Sequence, residues 1–252
     1  MNIKLIRHAT VLLKIKNKTL LIDPVLSAKG TIEAVKDVPN KSNNPLVDLP
    51  IPISAIINCD AVLITHTHRD HFDEAAVNAL PKDKLIFCQP QEEKKIVILG
   101  FTNVVPIKRN IKWGEIVITR TPAKHGHGVI AVSMAPVSGF LISTFGEPTV
   151  YIAGDTVWYS KIKNTLEKYK PEIAICNCGE ATFSHGKPIT MGTTDVLQMC
   201  SYSPSLKIVA VHMEAWNHCL LTRDMLNNFV IENKLQAQVY IPADGEDIVF
   251  LK

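Results

Sequence analysis

Nothing in the chain constrains its architecture more than Thr65-His66-Thr67-His68-Arg69-Asp70-His71-Phe72-Asp73. The stretch follows Asp60-Ala61-Val62-Leu63-Ile64, an apolar, β-branched run that reads as a buried parallel strand, and precedes residues 74–80, which read as a helix capped by Asp73. The histidines therefore fall at the carboxyl end of a strand, where open α/β sheets place their ligands. Residues two apart in a tight turn can aim their side chains at one point. His66 and His68 thus suit a single cation, while Asp70 and His71 begin a second cluster. Imidazole and carboxylate are groups that zinc and its neighbours bind, and neither helix nor strand physics calls for four such side chains within six residues.

The order His-x-His-x-Asp-His resembles the signature of the metallo-β-lactamase superfamily. That resemblance implies an α/β fold, a four-layer αββα sandwich with a metal centre at one edge. It also requires a third histidine, an aspartate after a strand, and a last histidine after another strand. Thr121-Pro122-Ala123-Lys124-His125-Gly126-His127-Gly128 supplies the third; the family motif falls on His125, with His127 as the competing candidate. Asp155, in Gly154-Asp155-Thr156, would by itself read as a helix cap; in register with the family it becomes a carboxylate shared by two metals. Residues 206–211 run directly into His212.

Carried over residue by residue, the resemblance implies that His66, His68 and His125 hold one metal and Asp70, His71 and His212 a second, with Asp155 between them. The expected cofactors are two divalent ions, zinc first and manganese second. They would lower the pKa of a bridging water toward about 7 and so provide hydroxide for attack on carbon or phosphorus. Asp70 and Asp155 are the expected catalytic carboxylates. His185, in a loop with Gly186 and Pro188, is the catalytic candidate on the substrate side. His8, Asp23, His127 and His218 remain as candidates to orient ligands or contact substrate.

His8-Ala9-Thr10, Ile22-Asp23-Pro24 and Asn44-Pro45-Leu46-Val47-Asp48-Leu49-Pro50 resemble the UlaG-like branch, which includes ascorbate-6-phosphate lactonases. The expected function is therefore a metal-dependent hydrolase of a small-molecule ester, lactone or phosphodiester. Two alternatives share the fold: a di-iron redox protein, which generally carries a glutamate where His68 stands, and a metal-binding module without turnover.

Composition narrows the partners. A net charge of +3 over 252 residues is too small for a nucleic-acid binder. No apolar run reaches membrane-spanning length, and the amino terminus lacks the pattern of a secretory signal. Six scattered cysteines suit reduced thiols, and Cys176-x-Cys178 reads as a strand end rather than a metal site. These features point to a cytoplasmic enzyme with a small-molecule substrate; a homo-oligomer is suggested only by analogy with the branch. The expected organisation is one domain over 1–252. Within it, residues 27–58 have little periodicity and many turn residues, and are read as an active-site wall or lid.

Elsewhere, strands are expected at 3–7, 10–15, 19–22, 84–88, 104, 107–112, 116–121, 129–134, 140–144, 149–153, 172–176, 206–211 and 238–241. Helices are expected at 91–99, 160–169, 193–200 and 222–234.

Overall fold

The computed structural model describes residues 1–250. Its first half contains β1 (Asn2–Arg7), β2 (Thr10–Ile15), β3 (Lys18–Ile22), α1 (Ile53–Ile56), β4 (Ala61–Ile64), α2 (Glu74–Ala79), β5 (Ile86–Cys88), α3 (Glu93–Ile98) and β6 (Val104–Pro106). The second half begins with β7 (Asn110–Trp113), β8 (Ile116–Pro122), α4 (Gly128–Ser133), β9 (Ser138–Ser143), β10 (Val150–Ile152) and α5 (Ser160–Tyr169). It ends with β11 (Ile173–Asn177), α6 (Thr193–Tyr202), β12 (Lys207–Val211), α7 (Arg223–Glu232), β13 (Val239–Tyr240) and β14 (Asp247–Val249).

Two mixed sheets result, ordered β14-β1-β2-β3-β4-β5-β6 and β13-β12-β11-β10-β9-β8-β7. Each has an antiparallel half, built from tight connections, and a parallel half, built through helical crossovers. Their inner faces meet in a core that includes Leu5, Leu13, Leu63 and Phe87 from one sheet and Ile118, Phe140, Ile152 and Val209 from the other. The outer face of the first sheet is covered by α2 and α3, through Ala76, Leu80 and Ile96. That of the second is covered by α5, α6 and α7, through Ile162, Leu166, Val196, Met199, Leu226 and Val230. The layers are αββα, as the resemblance implies. The chain alternates accordingly: β4 is buried at every position because both its faces are covered.

Two expectations fail locally. Of residues 129–134, expected as a strand, 129–133 lie in α4 and Met134 is its C-cap. Their β-branched run is not buried: Val129 is 87% and Val132 76% exposed. Gly126 and Gly128, both at positive φ, turn the chain away from β8 before it can pair. β14 was not expected at all. It is a short edge strand whose pairing with β1 is set by tertiary packing rather than by its own pattern.

The 27–58 segment contains α1 and is otherwise irregular. It is nonetheless fastened. The buried Arg7 guanidinium donates to the carbonyls of Val25, Ser27 and Val47 at 3.0, 2.8 and 2.9 Å. Asn44 Nδ2 donates to Asn217 Oδ1 at 2.9 Å and Asn217 N to Asn44 Oδ1 at 2.8 Å, and the Asn217 side-chain amide also donates to the carbonyls of Val35 and Asn40. Asp73 accepts from Leu26 N and Ser27 N while also capping α2 at Ala76 N.

Candidate metal centre

Strand ends converge at one edge of the sandwich and deliver the side chains. The stretch after β4 supplies His66, His68, Asp70 and His71, the stretch after β8 supplies His125, that after β10 supplies Asp155, and β12 runs into His212. All seven lie in three groups joined through His66 and His71, one of them being His66, His71 and Asp155. His66, His68 and His125 bring one nitrogen each within 4.8 Å of one another, and so do the donor atoms of Asp70, His71, His212 and additionally His8.

Asp155 stands between the clusters. Its Oδ2 is 3.1 Å from His125 Nε2, 3.3 Å from His71 Nε2 and 3.8 Å from His66 Nε2, while its Oδ1 is 3.5 Å from His212 Nε2. Asn177 Nδ2 donates to that Oδ1 at 2.6 Å and fixes the carboxylate plane. His66 Nε2 and His68 Nδ1 approach to 3.1 Å, and His71 Nε2 and His212 Nε2 to 3.3 Å. Donors around a tetrahedral cation with bonds of about 2.1 Å lie about 3.4 Å apart, so the spacing fits divalent ions.

The outer nitrogens are held as well. Asp23, the residue after β3, accepts from Thr65 N at 2.7 Å and Thr65 Oγ1 at 2.6 Å, and pairs with His71 Nδ1 at 2.8 Å. This is the carboxylate–histidine arrangement that fixes a tautomer and points Nε2 at a metal. His125 Nδ1 bonds the Ile189 carbonyl at 2.8 Å, leaving its Nε2 for the centre. His212 Nδ1 meets Cys219 Sγ at 3.5 Å.

Burial opposes charge on Asp70 and Asp155, but the encircling imidazoles prevail and hold both carboxyls well below the usual range. Burial, reinforced by His71, keeps His66 neutral, and burial also lowers His68. Neutral imidazole is the form that binds metal. Burial likewise lowers His71, yet Asp155, Asp70 and Asp23 together raise it well above its ordinary value, so that a cation at Nε2 would replace a proton. The donor set fits divalent cations on a further count: both ring nitrogens of His8 and Nδ1 of His218 are buried without a hydrogen-bond partner.

Three residues at strand ends take left-handed backbone conformations: His8 (φ 59°), Asp23 (φ 43°) and His212 (φ 70°). Such strain in non-glycine residues collects at functional sites. Here each turn swings a side chain off its strand into the centre.

Beside the clusters opens a hollow of about 250 Å³. His68, Asp70, His125 and His218 form its polar side; Val35, Met134, Phe183 and Trp216 form its apolar side, with Arg69 at the rim. His218 Nε2 is 3.9 Å from Asp70 Oδ2, and burial lowers its imidazole to about 4. Val35 comes from the 27–58 segment. His127 and His185 lie elsewhere: with Lys187 they line a separate hollow, and His185 is exposed. The structure thus brings His125 into the cluster rather than His127, and does not bring in His185. Cys176 and Cys178 are buried free thiols. Of the residues expected to orient ligands or contact substrate, Asp23 pairs with the ring of His71, His218 lines the hollow, and His8 falls in the group of Asp70, His71 and His212.

A model of the beta-lactamase superfamily domain matches residues 18–213. The chain belongs to this superfamily. Within it, the UPF0173 protein YddR of Bacillus subtilis is 37% identical over 254 residues, covering 99% of this chain and 100% of its own. That similarity makes the chain a member of the UPF0173 family. A UPF0173 metal-dependent hydrolase of Exiguobacterium sp. is 28% identical, covering 86% of this chain and 87% of its own. Among solved structures, an isothiocyanate hydrolase from Delia radicum gut bacteria superposes with a TM-score of 0.95 at 37% identity, covering 99% of both chains. A protein from Veillonella parvula, described as a possible metal-dependent hydrolase, superposes with a TM-score of 0.96 at 35% identity over 99% of both chains. No helix of the described residues is long and apolar enough to cross a membrane.

Proposed function

We propose that this member of the UPF0173 family is a dinuclear metal-dependent hydrolase acting on the electrophilic carbon of a small molecule with a compact apolar tail. The supporting observation is the juxtaposition of two nitrogen-and-oxygen clusters sharing Asp155 with a hollow whose far side is apolar. His66, His68 and His125 would hold one cation and Asp70, His71 and His212 the other, with Asp155 between. Bound there, zinc or manganese would acidify a water and polarise the substrate atom that gains charge.

The chain's own residues do the rest. Asp23, the Ile189 carbonyl and Asn177 hold the ligands in one orientation. Val35, Met134, Phe183 and Trp216 would take the substrate's tail and exclude water around it. Arg69 would offer a cation at the rim. His218, its imidazole lowered to about 4 by burial, lines the same hollow and can accept a proton there.

Two substrate classes fit. Lactones and esters follow from the UlaG-like resemblance. Isothiocyanates are favoured by the similarity to the isothiocyanate hydrolase and by the size and apolar lining of the hollow. In that reaction water adds across the N=C bond and the adduct breaks at the carbon–nitrogen bond, so that R–NCS and H₂O give R–NH₂ and COS. Phosphodiesters fit less well, because Arg69 is the sole lysine or arginine lining the hollow.

The test is a hydrolysis screen with phenethyl and allyl isothiocyanate, γ- and δ-lactones, p-nitrophenyl acetate and bis-p-nitrophenyl phosphate, with and without chelator. Chelator-sensitive turnover of a carbon electrophile is expected. Phosphodiester turnover alone would overturn the substrate class, and redox activity with bound iron would overturn the reaction class.

A further inference from the structure

His8 is outside the ligand set that the superfamily pattern brings out, yet it is fully buried and neither ring nitrogen has a hydrogen-bond partner. A polar atom buried without a partner loses its hydration uncompensated, which asks for a ligand. The backbone commits it to this position. β1 ends at Arg7, His8 takes a left-handed φ of 59°, and its carbonyl accepts from His212 N at 2.9 Å. The β1–β2 turn is thereby tied to the end of β12.

The two rings lie face to face, with centroids 3.6 Å apart and planes 35° from parallel. Nε2 of His8 and Nε2 of His212 are each 3.6 Å from Asp70 Oδ2. His71 Nε2 is 3.9 Å from the same oxygen and 3.3 Å from His212 Nε2. These separations are close to the edges of a tetrahedron with bonds of about 2.1 Å.

We propose that His8, through Nε2, is a fourth protein ligand of the cation held by Asp70, His71 and His212, an inference that rests on the dinuclear reading above. The consequence is asymmetry. The inner cation has four side-chain donors without counting Asp155, three of them fully buried imidazoles, which is the closed coordination of a structural site. The outer cation has three histidines, of which His68 and His125 line the open hollow, and so keeps a free position for water and substrate. The inner ion is retained and organises Asp155; the outer ion exchanges.

The experiment is anomalous-scattering crystallography of the wild-type protein equilibrated with zinc, together with chelator-competition titration of wild type, His8→Ala and His8→Gln. The expected result is a zinc ion about 2.0–2.2 Å from His8 Nε2. In the titration, wild type should bind two ions, and both variants should keep one while losing about a hundredfold or more in affinity for the second. A zinc ion bound by Asp70, His71 and His212 but more than about 3 Å from His8 Nε2 would overturn the assignment while leaving the dinuclear reading standing. Variants that bind both ions with wild-type affinity would do the same. Wild-type protein that takes up no ion at Asp70, His71 and His212 would overturn both. Should the variants fail to fold, the wild-type zinc position decides alone.

Discussion

Replacing Asp23 by asparagine probes the centre without replacing any proposed ligand, through its contact with His71. The amide oxygen can keep the bond from Thr65 N, which spans 2.7 Å to Oδ1. The amide nitrogen then occupies the place of Oδ2, facing Thr65 Oγ1 at 2.6 Å and His71 Nδ1 at 2.8 Å. Thr65 Oγ1 can turn its proton toward His66 Nδ1, 3.0 Å away. His71 has no such escape. Facing a donor, its Nδ1 must become the acceptor, which moves the ring proton to Nε2, the atom 3.3 Å from both His212 Nε2 and Asp155 Oδ2. A cation can bind there only if that tautomer is undone and the new amide–imidazole bond is lost. A hydrogen bond to a charged group contributes about 1.5–3 kcal/mol, so the affinity of the site built on His71 should fall about ten- to a hundredfold. Chelator-competition titration measures this, with denaturant unfolding of the metal-free protein as the control for fold. Uptake of both ions by Asp23→Asn within twofold of wild type would refute the tautomer argument.

His66→Ala and Asp155→Ala should each reduce hydrolysis to the background rate while far-ultraviolet circular dichroism stays native; wild-type rates with unchanged metal content would remove both from the centre. Gly179→Ala would place a methyl carbon 2.1 Å from the His212 carbonyl oxygen and 3.0 Å from Cys219 Sγ. Displacement of His212 should therefore weaken binding of the inner cation, read by calorimetric titration, and lower the unfolding temperature, read by scanning calorimetry. Asn217→Ala would strip the carbonyls of Val35 and Asn40, the Val35 N–H and Asn44 Nδ2 of their partners, while the backbone bond from Asn217 N to Asn44 Oδ1 could remain. It should cost about 1–3 kcal/mol in denaturant unfolding and raise KM more than it lowers kcat, since Val35 lines the hollow and contacts no proposed ligand.

How much of this was legible varies with how local the cause is. The cluster at 66–71 announces itself because its ligand spacing and its strand–loop–helix setting lie within about a dozen residues. Asp73 and Thr222 are readable as caps for the same reason, and both accept from the third residue after them. Asp155 and His212 have no local signature: one looks like a helix cap and the other like a residue after a strand, and only the superfamily pattern singled them out. From sequence, His125 is preferred to His127 only because the superfamily motif falls on it; the bond to the Ile189 carbonyl and the turn at Gly126 give the physical reason. His8 and Asp23 could be named only as candidates to orient ligands or contact substrate, because the left-handed backbone turn that places each after its strand is not announced by a sequence when the residue is not glycine. α4 was misread because a β-branched run signals a strand only where a neighbouring strand is free to pair, and that condition is tertiary.

The account depends on two divalent cations shared across Asp155. Elemental analysis of the purified protein, run beside isothiocyanate and lactone hydrolysis before chelation, after it and after adding zinc or manganese back, tests that most directly. Two ions per chain, activity lost on stripping and restored on reloading, are the predicted result. Full activity in protein stripped of metal, or a chain that takes up no divalent ion, would contradict it.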